Sequence, residues 1–527
     1  MVIKLFYLPL RFLAISMHLL AAIRCDGHHQ SQTKVVFQDT TALIPSITVD
    51  RFMGVNAFVD DPPEDMLALG FIREYHSWVW DEGNGSTGYQ GHPYRQIKVA
   101  PGYPGWNFDQ FYGQLRQIGL QVSPCIQSSV PWLDSASWFP TNIKPTDQPN
   151  AAADQPSSYE ARASYLFQFA GRYGSHPIPN QEQRFAADQP MVSGLGHIQY
   201  LEDWNEPDRF WEGAKSAFKP DEFAAMLSAD YDGHEQSMVH YKTGKPSFGV
   251  KNADPTIKLV MGGLSSINLE YIDQMNQWFK QNRRDKKFAA DVINVHTYAW
   301  KNGKDWQGGG PAISPEQAKF KEQAAALVAY RNEHLPNLEV WISEFGWDTH
   351  PGSVLSPPAI GKSDIREVQA RWILRAYLAF AAAGVDRAQL YMLRDVNPND
   401  PIQFSSSGLV SEKGVWEPKT SWYYVYTMKN VLTNMVFAGE ERSTHPTILI
   451  YKFKHLSKNE LVYVLWSGTS TGYQQNNYRL KIKSRARHAT IIEPIVGKTR
   501  GKRIDQRIKN NRIELNVNEK PTFVLVK

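Results

Sequence analysis

Ile198-Gln199-Tyr200-Leu201-Glu202-Asp203-Trp204-Asn205-Glu206-Pro207 begins as an alternating strand and breaks at a proline, leaving Glu206 just past the strand's carboxyl end. A second stretch of the same build, Leu338-Glu339-Val340-Trp341-Ile342-Ser343-Glu344-Phe345-Gly346-Trp347, again places a glutamate directly after a strand-like run. Reading outward from these two gives eight candidate strands, at 53–57, 71–75, 120–124, 198–202, 257–261, 292–296, 338–342 and 388–392. Glu206 and Glu344 therefore follow the fourth and the seventh.

Amphipathic segments lie between the strands, at 108–118, 159–173, 220–231, 269–282, 315–334 and 365–383, and a further one at 419–432 follows the last strand. Several open at or just after Asp, Ser or Pro, residues that suit a helix start. Strand–helix alternation over about 380 residues predicts an α/β fold, a (β/α)8 TIM barrel enlarged by insertions, over residues 50–435. The large insertions, 131–158 after strand three and 300–315 after strand six, both follow strand carboxyl ends and so overhang one face of the barrel. From 437 the pattern changes to short strands such as 448–453 and 461–466, which predicts an appended all-β sandwich over 437–527. The strand-like stretch 33–49 is assigned to that sandwich.

With 527 residues the chain exceeds one compact core. A composition of 42% hydrophobic and 21% charged residues excludes a disordered chain, and past the amino terminus no run of about 18 apolar residues predicts a membrane span. Residues 1–25 carry Lys4 and Arg11, then an apolar stretch at 12–23, then polar residues, the layout of a signal peptide, so the expected location is secreted or periplasmic. Cys25 offers a lipid anchor as an alternative, against which stands Arg24 directly before it. The other cysteine is Cys125, so no disulfide framework is expected. From Tyr478 to Lys527 there are 14 Lys/Arg against 4 Asp/Glu, which leaves the rest of the chain at −6 within a total of +4. In Arg479-Leu480-Lys481-Ile482-Lys483 the charges alternate with apolar residues as on a solvated strand face, without the interleaved aromatics that stack nucleic-acid bases. No nucleic-acid partner is expected.

Cleavage of a glycosidic bond needs two carboxyl groups, one to protonate the leaving oxygen and one to meet the anomeric carbon. In a barrel both belong at strand carboxyl ends, where Glu206 and Glu344 are predicted to lie. In these two motifs and their strand order the sequence resembles the clan A glycoside hydrolases, the four-seven superfamily, over roughly residues 50 to 435. The resemblance implies that Glu206 is the acid/base, Glu344 the nucleophile and Asn205 a ligand of the sugar 2-hydroxyl. Arg73 after strand two is similar to the clan's arginine near the nucleophile, and His296 with Tyr298 to its substrate-contacting pair. Arg73 and Tyr298 would keep Glu344 ionised, whereas the proton donor must hold its proton at the working pH. Phe71-Ile72-Arg73-Glu74-Tyr75-His76 and the sandwich resemble family 39, while Ser343-Glu344-Phe345-Gly346 resembles family 5.

Strand eight reads Tyr391-Met392-Leu393-Arg394-Asp395, where many clan members carry a tryptophan under the reacting sugar. Tyr391 and Arg394 are accordingly expected to contact substrate, with a pairing of Arg394 to Asp395 as the structural alternative. Trp78, Trp80, Trp132, Trp138, Trp300, Trp306 and Trp347 fall after strands two, three, six and seven and are expected to line subsites, Trp300 and Trp347 among the substrate contacts. Glu202 and Asp203 alternate along strand four, one aimed into the barrel and one into its wall, and read as structural. His76, His92, His234, His240 and His350 lack metal-ligand spacing, so neither metal nor cofactor is expected. Gly308-Gly309-Gly310 reads as a flexible lid. The implied activity is a retaining hydrolase acting by double displacement on a β-linked oligo- or polysaccharide; a carbohydrate-binding barrel without turnover and a transglycosylase using the same residues stay open.

Overall fold

A computed structural model describes residues 47–82, 96–102, 105–133, 141–146, 151–239, 244–301, 311–484 and 486–527. The signal segment 1–25 with Cys25, residues 33–46, Trp138, Trp306, His92, His240 and Gly308 to Gly310 lie outside the described residues.

Eight strands, β1 (Met53–Ala57), β2 (Phe71–Ser77), β3 (Gln121–Gln127), β4 (Tyr200–Asn205), β5 (Lys258–Gly263), β6 (Val292–His296), β7 (Glu339–Glu344) and β8 (Arg387–Leu390), pair in parallel in sequence order, and β8 closes on β1. They are buried almost throughout, as strands of a barrel sheathed by helices must be. The helices Phe108–Gln117, Leu269–Asn282 and Ile365–Ala383 start where Asn107, Asn268 and Asp364 each accept a backbone N–H of the first turn, which satisfies one donor the helix cannot. Phe320–His334 starts five residues later than its periodicity suggests, because 315–319 form a turn that precedes it.

The barrel interior has distinct levels. At the amino ends Phe71, Tyr200, Val260, Val292 and Trp341 form an apolar plug. Arg387 lies over the Phe71, Tyr200 and Trp341 rings at 4.4, 5.0 and 5.8 Å. Above the plug the interior turns polar, with Asn56, Arg73, Glu202 and Asn294 fully buried. A charged level inside a barrel is costly unless every member is paired, and here the members pair with one another and with the groups above them. Strands two, three, four, five and seven run two or three residues past their expected ends, through His76-Ser77, Cys125-Ile126-Gln127, Asp203-Trp204-Asn205, Gly262-Gly263 and Ser343-Glu344, because residues that read as loop in sequence continue the ladder, while strand eight stops at Leu390. Arg73 lies within β2, three positions in, rather than after it.

Past the helix Thr420–Val431 the chain forms strands β9 (Met435–Glu440), β10 (Ile448–His455), β11 (Leu461–Ser467), β12 (Gln474–Lys481), β13 (His488–Ile495), β14 (Lys498–Arg507), β15 (Arg512–Asn518) and β16 (Thr522–Val526). Six of them form one antiparallel sheet in the order β14-β13-β16-β11-β10-β9, and β12 pairs with β15 as a separate ribbon. The two layers enclose their own core, which includes Ile450, Leu465, Leu480, Ile491, Leu515 and Val524. Leu480 and Ile482 point into it while Arg479, Lys481 and Lys483 stand exposed, as the alternation predicts. The sheet is tied to the barrel where Thr427 and Asn430 donate to the carbonyls of Lys498 and Thr499, at 3.2 and 2.8 Å. One expectation is corrected: Val49–Phe52 is a helical turn, not the end of a strand, and its Asp50 side chain accepts the N–H of Asn434 at 2.8 Å.

Candidate active site

Arg73 is the hub of the carboxyl-end face. Its Nε and Nη2 donate to the two oxygens of Glu202 at 2.6 and 2.8 Å, a two-pronged pair that fixes the guanidinium plane. From that plane Nη1 reaches Asn56 Oδ1 at 2.8 Å, the Tyr75 hydroxyl at 2.9 Å and Glu344 Oε1 at 2.7 Å, and Nη2 reaches Asn205 Oδ1 at 2.7 Å. Because the guanidinium only donates, it orients the Asn205 amide with oxygen inward and leaves Nδ2 as the end directed elsewhere. Glu202 also accepts from Asn294 at 2.9 Å. Asp203, one residue on, points the other way to Arg162 of the helix Glu160–Tyr173 at 2.7 Å. Strand alternation thus separates the two acids into barrel and wall, as expected.

Glu344 is the most heavily solvated-by-protein carboxylate of the site. Oε1 takes Arg73 and the Tyr75 hydroxyl, Oε2 takes the Tyr298 hydroxyl at 2.9 Å, and His296 Nε2 lies 3.4 Å from Oε1. Burial pushes its pKa up, but the His296 ring, the Arg73 guanidinium and the Tyr75 and Tyr298 hydroxyls outweigh it and leave the carboxyl below its ordinary value. Glu206 is set differently. Its side chain is 22% exposed against 7% for Glu344, and it meets His296 Nδ1 at 3.1 Å. One oxygen of each glutamate and a ring nitrogen of His296 all lie within 4.8 Å of one another. The same atoms would suit a cation by spacing alone, but Arg73 already places a permanent positive charge on Glu344.

Two backbone irregularities aim these side chains. Along β7 the register against β6 shifts between Val295 and His296, so that His296 pairs with Glu344 and Ser343 is passed over. A bulge of this kind turns a side chain that plain alternation would send outward, and here it brings Glu344 into the barrel mouth. At the end of β4, Trp204 has φ +81° and Glu206 φ +47°, each costing about 1–3 kcal/mol for a residue with a Cβ. The surroundings enforce both. The Trp204 ring is buried beside Phe218 at 5.7 Å with the Arg162 guanidinium over it at 4.9 Å, Glu206 N–H donates to Gly263 at 2.9 Å, and Arg209 donates to the carbonyls of Asn205 and Glu206.

Gly263 has a second part. A Cβ there would meet His296 Nε2, with Cδ2 at 2.7 Å and Ser343 Oγ at 2.8 Å, so a side chain would displace the imidazole that joins the glutamates. Gly263→Ala is expected to cost about 1–3 kcal/mol of stability, because the added methyl must push a fully buried ring aside, and to lose roughly a hundredfold in kcat, the scale of an ångström-sized misplacement. Steady-state kinetics beside a melting curve checks this, and an unchanged kcat would contradict it.

Tyr298 lies beside Trp300 at 5.6 Å and Phe404 at 5.0 Å, and Tyr391 beside Tyr75 at 6.2 Å and Phe404 at 5.4 Å. Burial, with the carboxylates of Glu344 and Glu206 near it, pushes the Tyr391 hydroxyl pKa up. Trp300 stays near the cleft wall, where it bridges to Ala312 at the base of its loop. Three expectations are corrected. Trp347 is fully buried against Phe320 and Trp372 and donates to the Ile313 carbonyl at 3.1 Å, so it fills the core instead of contacting a ligand. Trp78 is likewise buried, stacked on Tyr165. Arg394 pairs with Asp61 at 2.6 Å, and Asp395 with Lys419 at 2.9 Å, so the two neighbours neither bridge each other nor stand free for substrate. His296 and Arg73 are fully buried and act on the glutamates rather than on a ligand surface.

Sequence reasoning missed Tyr75, Arg209, Gly263 and Phe404. Tyr75 was within reach, since it stands two residues past Arg73 on the same strand face.

No protein-family model matches the sequence, and no curated protein matches it. Among solved structures the fold is similar to a family 39 glycoside hydrolase from the gut symbiont Bacteroides cellulosilyticus WH2, at 15% identity over 92% of this chain and 83% of that one, with a TM-score of 0.59. It is also similar to the family 30 subfamily 8 xylanase Xyn30A from Clostridium acetobutylicum, at 13% identity over 92% and 97% of the two chains and a TM-score of 0.54. A family 30 endoxylanase from Clostridium papyrosolvens C71 follows at 9% identity, 92% and 97% coverage and a TM-score of 0.52. These are likenesses of fold.

Proposed function

We propose that this chain is a retaining glycoside hydrolase that cleaves β-linked glycans by double displacement. The observation that carries the reading is the pair of glutamates whose nearest oxygens lie within 4.8 Å. Retaining enzymes hold their carboxyl groups about 5–5.5 Å apart and inverting ones about 6.5–9.5 Å, and the single imidazole of His296, which reaches Glu206 at 3.1 Å and Glu344 at 3.4 Å, draws this pair toward the short end. The contrast in surroundings supplies the roles. Glu344, held ionised by Arg73 and two tyrosine hydroxyls, attacks the anomeric carbon. Glu206 gives its proton to the departing oxygen and then takes one from the water that releases the sugar, and its greater exposure gives that water a path. Asn205, oriented by Arg73, presents Nδ2 for a sugar hydroxyl, and Tyr298 and Tyr391 line the pocket around the reacting ring. The carboxylates and hydroxyls suffice for this chemistry, and the layout of residues 1–25 supports export to where glycans are met.

Proton NMR of the first product formed from an activated β-glycoside tests the stereochemical course. The β-anomer is expected first, mutarotating later, and an α-anomer appearing first would sink the retaining assignment. The pH profile adds a second test. Because Glu344 must be ionised and its neighbours hold its pKa below that of an ordinary glutamate, the acid limb of kcat/KM is expected at lower pH than a free glutamate would give. Tyr298→Phe removes one donor that holds the carboxylate down, so its acid limb should move to higher pH. A limb that stays in place, or moves lower, would contradict the role given to Tyr298.

A further inference from the structure

Among the large apolar side chains that stand exposed in the described residues, the only Phe and Trp are adjacent: Phe210 is 57% and Trp211 49% accessible. Their rings meet edge to face with centroids 5.3 Å apart. Accessible aromatic rings offer a flat apolar face on which a ligand can stack. The pair sits on a single 3-10 turn, Phe210–Glu212, and that turn is braced. Arg209 Nη1 pairs with Glu212 Oε1 at 2.9 Å, and Asn142 Nδ2 reaches both Glu212 oxygens at 3.1 Å. The brace is continuous with the site, because the same Arg209 holds the Glu206 carbonyl with its Nε at 3.0 Å and with its backbone N–H at 3.2 Å. Five residues span at most about 18 Å, and the turn closed at Glu206 shortens that reach.

The chemistry says which side of the cleft this is. On the proposed mechanism Glu206 protonates the oxygen that departs with the leaving group, while the ring under attack faces Glu344, whose carboxylate takes the Tyr75 and Tyr298 hydroxyls. The turn that continues from Glu206 therefore flanks the leaving-group side. Resting on the glycosidase reading, we propose that Phe210 and Trp211 form a stacking platform for the sugar ring on the leaving-group side of the scissile bond, so that the substrate is a glycan extending past the cleaved linkage. A pyranose ring presents an apolar C–H face to the Trp211 indole, and the braced turn holds that indole in place before the ligand arrives.

The test compares two substrates that share the sugar the wild type accepts: a linear oligosaccharide, and the glycosyl fluoride, whose leaving group has no ring. Trp211→Ala is expected to lose about tenfold more kcat/KM on the oligosaccharide than on the fluoride, the scale of one aromatic stacking contact. Most of the loss should fall in KM, and Trp211→Tyr should restore the greater part. A melting temperature close to wild type separates this from misfolding. Equal losses on both substrates, or no loss on either, would overturn the platform alone. A wild type that releases fluoride from none of a panel of β-glycosyl fluorides would overturn the glycosidase reading and the platform with it.

Discussion

Glu344→Ala is expected to lose turnover on natural glycans by on the order of 10⁴- to 10⁶-fold, the scale on which loss of a covalent nucleophile is felt. Among the described residues the groups that touch its carboxylate cannot take its place: Arg73 is a cation, the His296 ring is engaged between the two glutamates, and burial pushes the Tyr75 and Tyr298 hydroxyls well above the ordinary phenol range. The fold should survive, since removing the carboxylate leaves Arg73 paired with Glu202. Glu206→Ala is a different loss. It should cost about 10²- to 10⁴-fold on natural substrates, the usual worth of general acid catalysis, and much less in the first step with a dinitrophenyl leaving group that departs without a proton. On such a substrate the covalent intermediate should accumulate, and added azide should speed its release as the β-glycosyl azide. Comparable kcat values for the two variants on both substrate types would contradict the division of roles.

Arg73→Met is expected to cost stability as well as activity. The guanidinium is fully buried between Glu202 and Glu344, and an apolar side chain of similar length leaves both carboxylates inside the barrel without their cation. Breaking a buried pair by removing one partner costs about 3–5 kcal/mol, against a total stability of about 5–15 kcal/mol. A loss of that size should show as lower soluble yield and an earlier midpoint in denaturant unfolding. Arg73→Lys separates the functional part. It keeps a charge but lacks the fork that reaches Glu202, Glu344, Asn56 and Asn205 together, so it should fold and still lose activity. Any weakening of the cation at Glu344 lets its pKa rise toward the ordinary value, so the acid limb of kcat/KM should move to higher pH in Arg73→Lys. Wild-type stability in Arg73→Met would show that the buried charges are not held as described.

The eight strands were legible because each is a short apolar run between amphipathic segments, and Met53–Ala57 and Val292–His296 fall on the residues expected. The separation of Glu202 from Asp203 was legible for a similar reason, since period two acts locally. What was not legible depends on contacts between distant segments. Arg73 looks like a strand-end residue until Glu202, 129 positions away, is brought against it. Trp347 reads as a loop tryptophan, yet the helices Phe320–His334 and Ile365–Ala383 close over it. Arg394 reads as free until Asp61, 333 positions earlier, takes its guanidinium. The bulge that turns Glu344 inward leaves no mark in the sequence, because it comes from the register between β6 and β7.

As the proposed nucleophile, Glu344 becomes covalently attached to the sugar during turnover. Incubating the protein with a panel of activated 2-deoxy-2-fluoro β-glycosides, followed by proteolysis and tandem mass spectrometry, tests it directly, because the fluorine slows release of the intermediate more than its formation. A mass increase of one fluoroglycosyl group is expected on the peptide containing Ser343-Glu344-Phe345-Gly346, localised to Glu344 and absent in Glu344→Ala. A label on any other carboxylate, or turnover of the parent β-glycoside with no covalent label at all, would contradict it.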